Sequence, residues 1–226
     1  MRTALALLAA MLFATAASAL SLADISAKDA GGGLREALTQ GAGKAVGLLG
    51  RQDGFLGNPA VRIALPENLQ KVEGAMRKLG MGRQADELVT AMNRAAEAAV
   101  PQARALLLNS IRQMSLDDAK GILAGGEDSA TQYFRRTTSG PMAEKFRPVV
   151  RGAMAKVKLA EKYEQFAGKA AKFGLVREQD AHLENYVTQK TLDGLYLMIA
   201  EEEKTIRKDP AGAAGKLAKM VFGALK

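Results

Sequence analysis

The stretch Gly125–Ser139, GGEDSATQYFRRTTS, decides the fold because it contains the end of one helix and the start of the next. Its glycine pair predicts a helix C-terminus, since glycine accepts the left-handed conformation of a C-terminal cap. The following Glu127, Asp128 and Ser129 predict a helix N-terminus, where acids and hydroxyls satisfy free N–H groups and complement the helix dipole. The stretch therefore predicts a joint between two helices.

A glycine-rich turn before a helix can instead bind phosphate, because the first N–H groups of a helix attract anions. Glu127 and Asp128 already place two carboxylates at that positive end and would repel a phosphate. We therefore interpret GGEDS as a structural joint. The second half, TQYFRRTTS, stays a candidate for function, because Arg135 and Arg136 open a basic segment.

Apolar residues recur at helical spacing on both sides of this joint. The predicted helices cover about residues 34–49, 66–80, 85–99, 103–114, 115–125, 129–157 and 183–208, with a short amphipathic helix near the C-terminus. Residues 50–69, GRQDGFLGNPAVRIALPENL, contain the turn signals of a loop. We expect this loop to be ordered, because Phe55, Leu56, Val61 and Ile63 can enter a core. The pattern predicts an all-α fold, a single multi-helix bundle over residues 20–226 with one ordered Gly/Pro-containing loop.

The composition excludes several kinds of chemistry. The chain has no cysteine, which excludes disulfides, thiol catalysis and zinc–thiolate sites. Its one histidine, His182, lies in a polar connection and is interpreted as a surface residue. No GxSxG turn supports a serine triad. We therefore expect no metal and no cofactor, and a non-enzymatic protein is the preferred interpretation.

The first 19 residues, MRTALALLAAMLFATAASA, have the layout of a secretory signal peptide: a basic start, an apolar run and small residues before a cleavage site. A membrane anchor is the alternative, but the apolar run from Ala4 to Ala14 is shorter than the ~20 residues that a membrane span needs. No later segment is long and apolar enough to span a bilayer. We expect a chain that is exported to the periplasm, cleaved after Ala19 and without a transmembrane segment in its mature part.

The positive charge is concentrated in one segment. The chain carries a net charge of +8, and residues 135–172 contain ten basic and three acidic residues, a local net charge of +7. Clustered cations attract anionic surfaces. We interpret this segment as a docking surface for an anionic envelope component: lipid headgroups, lipopolysaccharide phosphates or an acidic protein. The predicted ligand-binding residues are Arg135, Arg136, Arg147, Arg151, Lys158, Lys162, Tyr133 and Asn93. Nucleic acid fits less well, because the chain is expected to be exported and lacks interleaved exposed aromatics.

Three carboxylates support an alternative function. Glu202, Asp193 and Glu97 are candidate general acids and bases of a hydrolase or lyase that acts on an envelope polymer, since burial can raise the pKa of one carboxylate of a pair. Glu202 continues an apolar helix face and is expected to be partly buried, with the Arg135–Arg136 pair as a candidate partner. Its neighbour Glu203 is interpreted as solvated and paired with a residue one turn later, Arg207.

Four segments in this order resemble a family of bacterial exported proteins of unknown function. They are DGFLGNPAVRIALPENLQKVEGAMRKLG, MNRAAEAAVPQA, GGEDSATQYFRRTTS and YVTQKTLDGLYLMIAEEEKTIRKDP. The resemblance covers nearly the whole chain after the signal peptide. It implies a mostly helical envelope protein and assigns no activity, cofactor or catalytic residue.

Overall fold

A computed structural model of the chain describes residues 26–78, 80, 82–158, 160–164, 182–210 and 215–224. The predicted signal peptide, residues 1–19, lies outside these residues, as do Lys169 and Lys172 of the basic segment. The helices are α1 Ala27–Leu49, α2 Glu67–Lys78, α3 Gly82–Ala99, α4 Ala103–Gln113, α5 Leu116–Ala124, α6 Ser129–Met154, α7 Leu183–Lys208 and α8 Lys216–Gly223. No β-strand occurs among the described residues, so the predicted all-α class is confirmed.

The two longest helices, α6 and α7, form the centre of the bundle. They pack against each other, while α3 packs on α6 and α1 packs on both α7 and α4. The largest buried side chains of the centre are Phe134, Met142 and Phe146 of α6 and Tyr196 of α7. Burial of this apolar surface is the dominant stabilising term, because the chain has no disulfide.

The loop between α1 and α2 is ordered and packs on α7. Phe55, Val61 and Ile63 are buried, as predicted, whereas Leu56 is half-buried. The loop explains the glycine inside α7, because a β-carbon added at Gly194 would lie 2.8 Å from Phe55 Cε1. Glycine at this position lets the loop approach the helix backbone closely.

The helix boundaries confirm some predicted signals and correct others. Pro101 lies in a short 3₁₀ turn, Val100–Gln102, which joins α3 to α4. Ser115 caps α5 in a capping box with Asp118, as the sequence predicts. The left-handed cap predicted at Gly125 is wrong, because its φ is −87° and its ψ is −177°. Glycine is needed there for space, since a β-carbon would collide with the Ser129 side chain.

Helix α6 is a single element that continues through Pro141 and Pro148. It ends at Met154, three residues before the predicted end at 157, and does not continue to Lys162. A turn follows at 155–156, and the chain is helical again at 160–164. Lys158 and Lys162 therefore do not share a helix with Arg147 and Arg151.

The C-terminal helix α8 packs against α1 at a glycine. A β-carbon added at Gly33 would lie 2.5 Å from the Leu217 carbonyl oxygen and 2.7 Å from Val221 Cγ2. Gly43 lies on the same helix, and a β-carbon there would meet nothing within 4 Å. The two glycines thus lie on the same helix, but Gly33 is in close contact with α8 whereas Gly43 has open space around it.

We expect Gly33→Ala to lower the free energy of unfolding by about 1–3 kcal/mol, because the added methyl group forces α8 away from α1. Gly43→Ala should instead raise it by about 0.5–1 kcal/mol, because alanine is the better helix former. Urea denaturation followed by circular dichroism measures both changes. Equal effects of the two substitutions would show that α8 does not pack closely on α1.

Candidate functional site

Asn93 on α3 anchors the loop between α1 and α2. Its Oδ1 accepts the Ile63 N–H at 2.8 Å, and its Nδ2 donates to the Ile63 carbonyl at 2.8 Å and to the Val89 carbonyl at 2.7 Å. The side chain is fully buried. Asn93 therefore pairs with the extended backbone at Ile63 as a neighbouring strand would, and no donor of its amide is left for a ligand.

Glu97, one turn further along α3, binds the same loop. Its Oε1 accepts the N–H groups of Phe55 at 3.0 Å and Leu56 at 3.1 Å. Its Oε2 accepts a hydrogen bond from Arg94 Nη1 at 2.6 Å, and Arg94 Nη2 contacts Asp53 Oδ1 at 2.8 Å. This buried carboxylate stabilises the loop, and the structure gives it no substrate-facing surface.

The other two candidate acids do not join Glu97. Asp193 Oδ1 accepts from Gln189 Nε2 at 3.0 Å and lies 3.8 Å from Arg135 Nη1. Glu202 Oε2 pairs with Lys44 Nζ of α1 at 2.8 Å, so its partner is not the predicted arginine pair. Nine residues separate Asp193 from Glu202 on α7, which corresponds to about 13.5 Å along the axis and to opposite sides of the helix. Each of the three acids thus has its own partners, and no hydrogen bond among the described residues joins two of them.

Glu203, which is not among the predicted site residues, accepts more hydrogen bonds than any other acid of the described residues. Glu203 is buried, with 5% of its surface exposed, whereas it was expected to be solvated. Its carboxylate accepts the N–H groups of Ala130 and Thr131, each at 2.9 Å, and the Thr131 hydroxyl at 2.9 Å. The predicted pair with Arg207 is present, with Arg207 Nη2 at 2.9 Å from Glu203 Oε1.

Arg207 connects this carboxylate to two further helices. Its Nη2 donates to the Ile122 carbonyl at the end of α5 at 2.8 Å, and its guanidinium lies 5.7 Å from the centre of the Phe222 ring of α8. Glu203 thus accepts hydrogen bonds from free N–H groups at the start of α6, and Arg207 donates one to a carbonyl near the end of α5. The GGEDS joint is therefore closed by an ion pair from α7.

This geometry corrects the predicted cap of α6. Asp128 is the N-cap residue, but its side chain makes no capping hydrogen bond. It accepts from Gln132 Nε2 at 2.8 Å, and Glu127 lies 3.6 Å from Lys204 Nζ. An acid does occupy the place where a phosphate would bind, but that acid is Glu203 from a distant part of the chain.

Arg135 and Arg136 lie over aromatic rings near the start of α6. The Arg135 guanidinium carbon is 4.7 Å from the centre of the Tyr196 ring, and that of Arg136 is 5.5 Å from the centre of the Tyr133 ring. Arg136 Nη2 also contacts Asp118 Oδ1 at 3.1 Å. Both arginines of the RR pair thus have acidic and aromatic neighbours.

The other basic residues lie at the opposite end of α6. Arg147 and Arg151 are one turn apart and follow Arg135 by about 18–24 Å along the helix axis. Arg151 forms two hydrogen bonds with Glu184, at 2.6 Å and 3.0 Å, and this contact lowers the pKa of the Glu184 carboxyl below its ordinary value. The basic segment is therefore divided into two separate clusters.

We use the name basic end for four exposed cations at the C-terminal end of α6 and after it: Arg147, Lys156, Lys158 and Lys162. Within the part of the chain that the structure describes, none of them forms an ion pair. Arg151 lines a cavity of about 450 Å³ at this end of α6, together with Ala160 and the carboxylates Glu161, Glu164 and Glu184. Glu161 and Glu164 lie at the same end and moderate its charge.

A second cavity, of about 480 Å³, opens between α4 and α6 near Arg136. Tyr133 contributes to its floor, with its hydroxyl bound to the Ser110 carbonyl at 2.8 Å.

Two further properties hold for the described residues. No three His, Asp or Glu side chains are grouped to hold a metal ion, and no helix combines the length and apolar character needed to cross a membrane.

These features define an all-α helical bundle whose buried polar groups are mainly structural and whose basic segment is divided between the two ends of α6. Residues 24–223 match the family described as protein of unknown function (DUF4197), and the chain belongs to that family. The predicted resemblance to a family of unknown function is thereby confirmed. No curated protein and no solved structure matches the chain.

Proposed function

We propose that this protein is a non-enzymatic, exported binding protein that docks on an anionic envelope surface through its basic end. The observation that carries the proposal is the contrast in pairing along the basic segment. Arg135, Arg136 and Arg151 each have an acidic partner, whereas the four cations of the basic end form no ion pair with any described residue. Their charge is less neutralised than that of the three paired arginines, although Arg147 also acts electrostatically on Glu184.

The chemistry of the basic end fits phosphate-bearing lipid headgroups. Three of its four cations are lysines. Their ammonium groups are point charges on flexible side chains, whereas an arginine guanidinium is a rigid planar group with donors in fixed directions. Ammonium groups suit a laterally mobile lipid surface better than one precisely shaped ligand. Each Lys or Arg near an anionic bilayer contributes about 1 kcal/mol to binding.

The alternative function, a hydrolase that uses a pair of carboxylates, has no comparable support. Glu97 is bound to loop amides, and Asp193 and Glu202 lie on opposite sides of α7. Without two acids around a common space, general acid and base catalysis has no site among the candidates.

The test is co-sedimentation of the full mature chain with vesicles of phosphatidylglycerol and phosphatidylethanolamine, and with vesicles of phosphatidylcholine alone. We expect binding to the anionic vesicles at 0.1 M salt and its loss at 1 M salt, where the screening length falls from about 10 Å to about 3 Å. Binding that is equal on both vesicle types, or that is insensitive to salt, would contradict the proposal.

Replacement of the four cations of the basic end by glutamine should weaken binding by about a hundredfold to a thousandfold, given about 1 kcal/mol per cation. The matched control replaces Lys28, Arg51, Arg104 and Lys120, which are equally exposed and lie elsewhere. The control has the same net charge, so an effect of total charge would appear in both variants. Binding to an acidic protein or to lipopolysaccharide, but not to vesicles, would show that the headgroup assignment is wrong.

A further inference from the structure

The half-open cavity between α4 and α6 is separate from the basic end and is large enough for a small ligand. Leu106, Asn109 and Gln113 line it from one face of α4, and Arg136 and Pro141 line it from α6. Its volume of about 480 Å³ lies within the range of about 300–1,000 Å³ that is typical of small-molecule sites. Its walls combine a few apolar groups with several polar ones.

The floor of the cavity is a closed hydrogen-bond network. The Tyr133 hydroxyl donates to the Ser110 carbonyl at 2.8 Å, and the Ser110 and Thr137 hydroxyls are 2.8 Å apart. The Thr137 hydroxyl also lies 2.9 Å from the Tyr133 carbonyl oxygen. These hydrogen bonds fix the position of the Tyr133 ring, over which the Arg136 guanidinium lies at 5.5 Å.

Arg136 is held at the rim in a defined orientation. One nitrogen, Nη2, contacts Asp118 Oδ1 at 3.1 Å, and the guanidinium lies over the Tyr133 ring. Asp118 is itself fixed, because its other oxygen accepts hydrogen bonds from the N–H and the hydroxyl of Ser115. Within the described residues, the remaining N–H donors of Arg136 have no hydrogen-bond partner. They are available to a ligand in the cavity.

Two carboxamides, of Asn109 and Gln113, line the same cavity one turn apart on α4. Carboxamides both donate and accept, as hydroxyl groups of a ligand do. A guanidinium presents parallel donors that match the two oxygens of a carboxylate. Asp118 next to Arg136 places a negative charge at the rim, which disfavours a doubly charged phosphate more than a singly charged carboxylate.

From this arrangement we propose that the cavity binds a sugar that carries a carboxylate, such as a uronic acid unit of a polysaccharide. Arg136 binds the carboxylate, Asn109 and Gln113 bind ring hydroxyls, and Leu106 and Pro141 contact the C–H face of the ring. This inference does not rest on the proposed docking function, because the cavity and the basic end share no residue.

The test is a titration of the isotopically labelled protein with D-glucuronate, followed through the NMR signals of its backbone amides. We expect saturable shifts at residues 106–113 and 133–141. D-glucose, which lacks the carboxylate, and acetate, which lacks the ring hydroxyls, should each bind at least about tenfold more weakly. No saturable shift with D-glucuronate at these residues, or equal binding of D-glucose, would overturn the proposal.

Arg136→Gln should weaken D-glucuronate binding by about tenfold or more, since hydrogen bonds to charged groups are the strong ones. Asn109→Ala should weaken both D-glucuronate and D-glucose. Arg104→Gln is the matched control, because Arg104 is an exposed arginine of α4 outside the cavity. Unchanged D-glucuronate binding in Arg136→Gln and Asn109→Ala would overturn the assignment. The vesicle assay uses none of the cavity residues, so failure of either proposal is recognised independently.

Discussion

Replacement of Glu203 with alanine is expected to lower the free energy of unfolding by about 3–5 kcal/mol, because it leaves a charged partner without its counter-ion in a mostly buried place. The Arg207 side chain is only 14% exposed and would lose the carboxylate that it contacts at 2.9 Å. The N–H groups of Ala130 and Thr131 would lose their acceptor at the same time. No other substitution considered for this chain removes as many buried interactions.

Urea denaturation of the full mature chain measures this effect. Glu203→Gln should be milder, at about 1.5–3 kcal/mol, because the amide keeps an oxygen acceptor but loses the charge. Glu201→Ala is the control two residues earlier on the same helix, where the side chain is exposed, and it should change stability by less than about 0.5 kcal/mol. A loss below about 1 kcal/mol for Glu203→Ala would be incompatible with a buried ion pair at the joint between α5 and α6.

Asn93→Ala is expected to lower the free energy of unfolding by about 2–4 kcal/mol, since buried polar groups left without partners are costly. The substitution removes the acceptor of the Ile63 N–H and the donors to the Ile63 and Val89 carbonyls. Because the lost bonds hold the loop, hydrogen exchange of the loop amides around Ile63 should accelerate more than exchange in α6.

The control for this prediction is Thr90→Ala, an exposed position one turn earlier on α3. Its effect should not exceed about 0.7 kcal/mol, the difference in helix propensity between ordinary residues. If Asn93→Ala changed stability as little as Thr90→Ala, or left exchange in the loop unaltered, Asn93 would not be the anchor of the loop. Its buried amide would then be free for a different role.

The sequence predicts the helices well because their signals are local. Apolar spacing, Pro101 and the Ser115 capping box lie within a few residues of the features that they specify. Even the burial of the loop is foreseeable, since Val61 and Ile63 alternate with the exposed Arg62 and Ala64. Features that are specified by residues close together in the chain can therefore be predicted from the sequence.

The candidate site was less predictable because its contacts join distant segments. Glu203 binds N–H groups more than 70 positions earlier, and Arg136 pairs across 18 positions. One signal was available: Glu203 follows Ile199 by four residues and Tyr196 by seven, so it continues their buried face. Its neighbour Glu202 continues the adjacent Leu195–Ile199–Ile206 face by the same spacing, and periodicity alone does not choose between two adjacent faces.

The division of the basic segment was unpredictable for the same reason, because its ion pairs also join distant segments of the chain. Asp193 and Glu184, both on α7, reach Arg135 and Arg151 respectively. A charge count along the chain adds these arginines to the cations of the basic end, although their charge is partly neutralised in the fold. Of the ten cations in this segment of 38 residues, five are exposed and have no ion pair among the described residues: Lys145 and the four cations of the basic end.

The absence of cysteine allows a direct measurement of the docking surface. Gly152 lies beside Arg151 at the basic end, Gly121 lies on α5, and a β-carbon at either position would meet nothing within 4 Å. Each can be replaced by a single cysteine that carries an environment-sensitive fluorophore. The account predicts that phosphatidylglycerol vesicles shift the emission of the probe at position 152 to the blue and leave the probe at position 121 unchanged. Equal shifts at both positions, or a shift only at position 121, would contradict docking through the basic end.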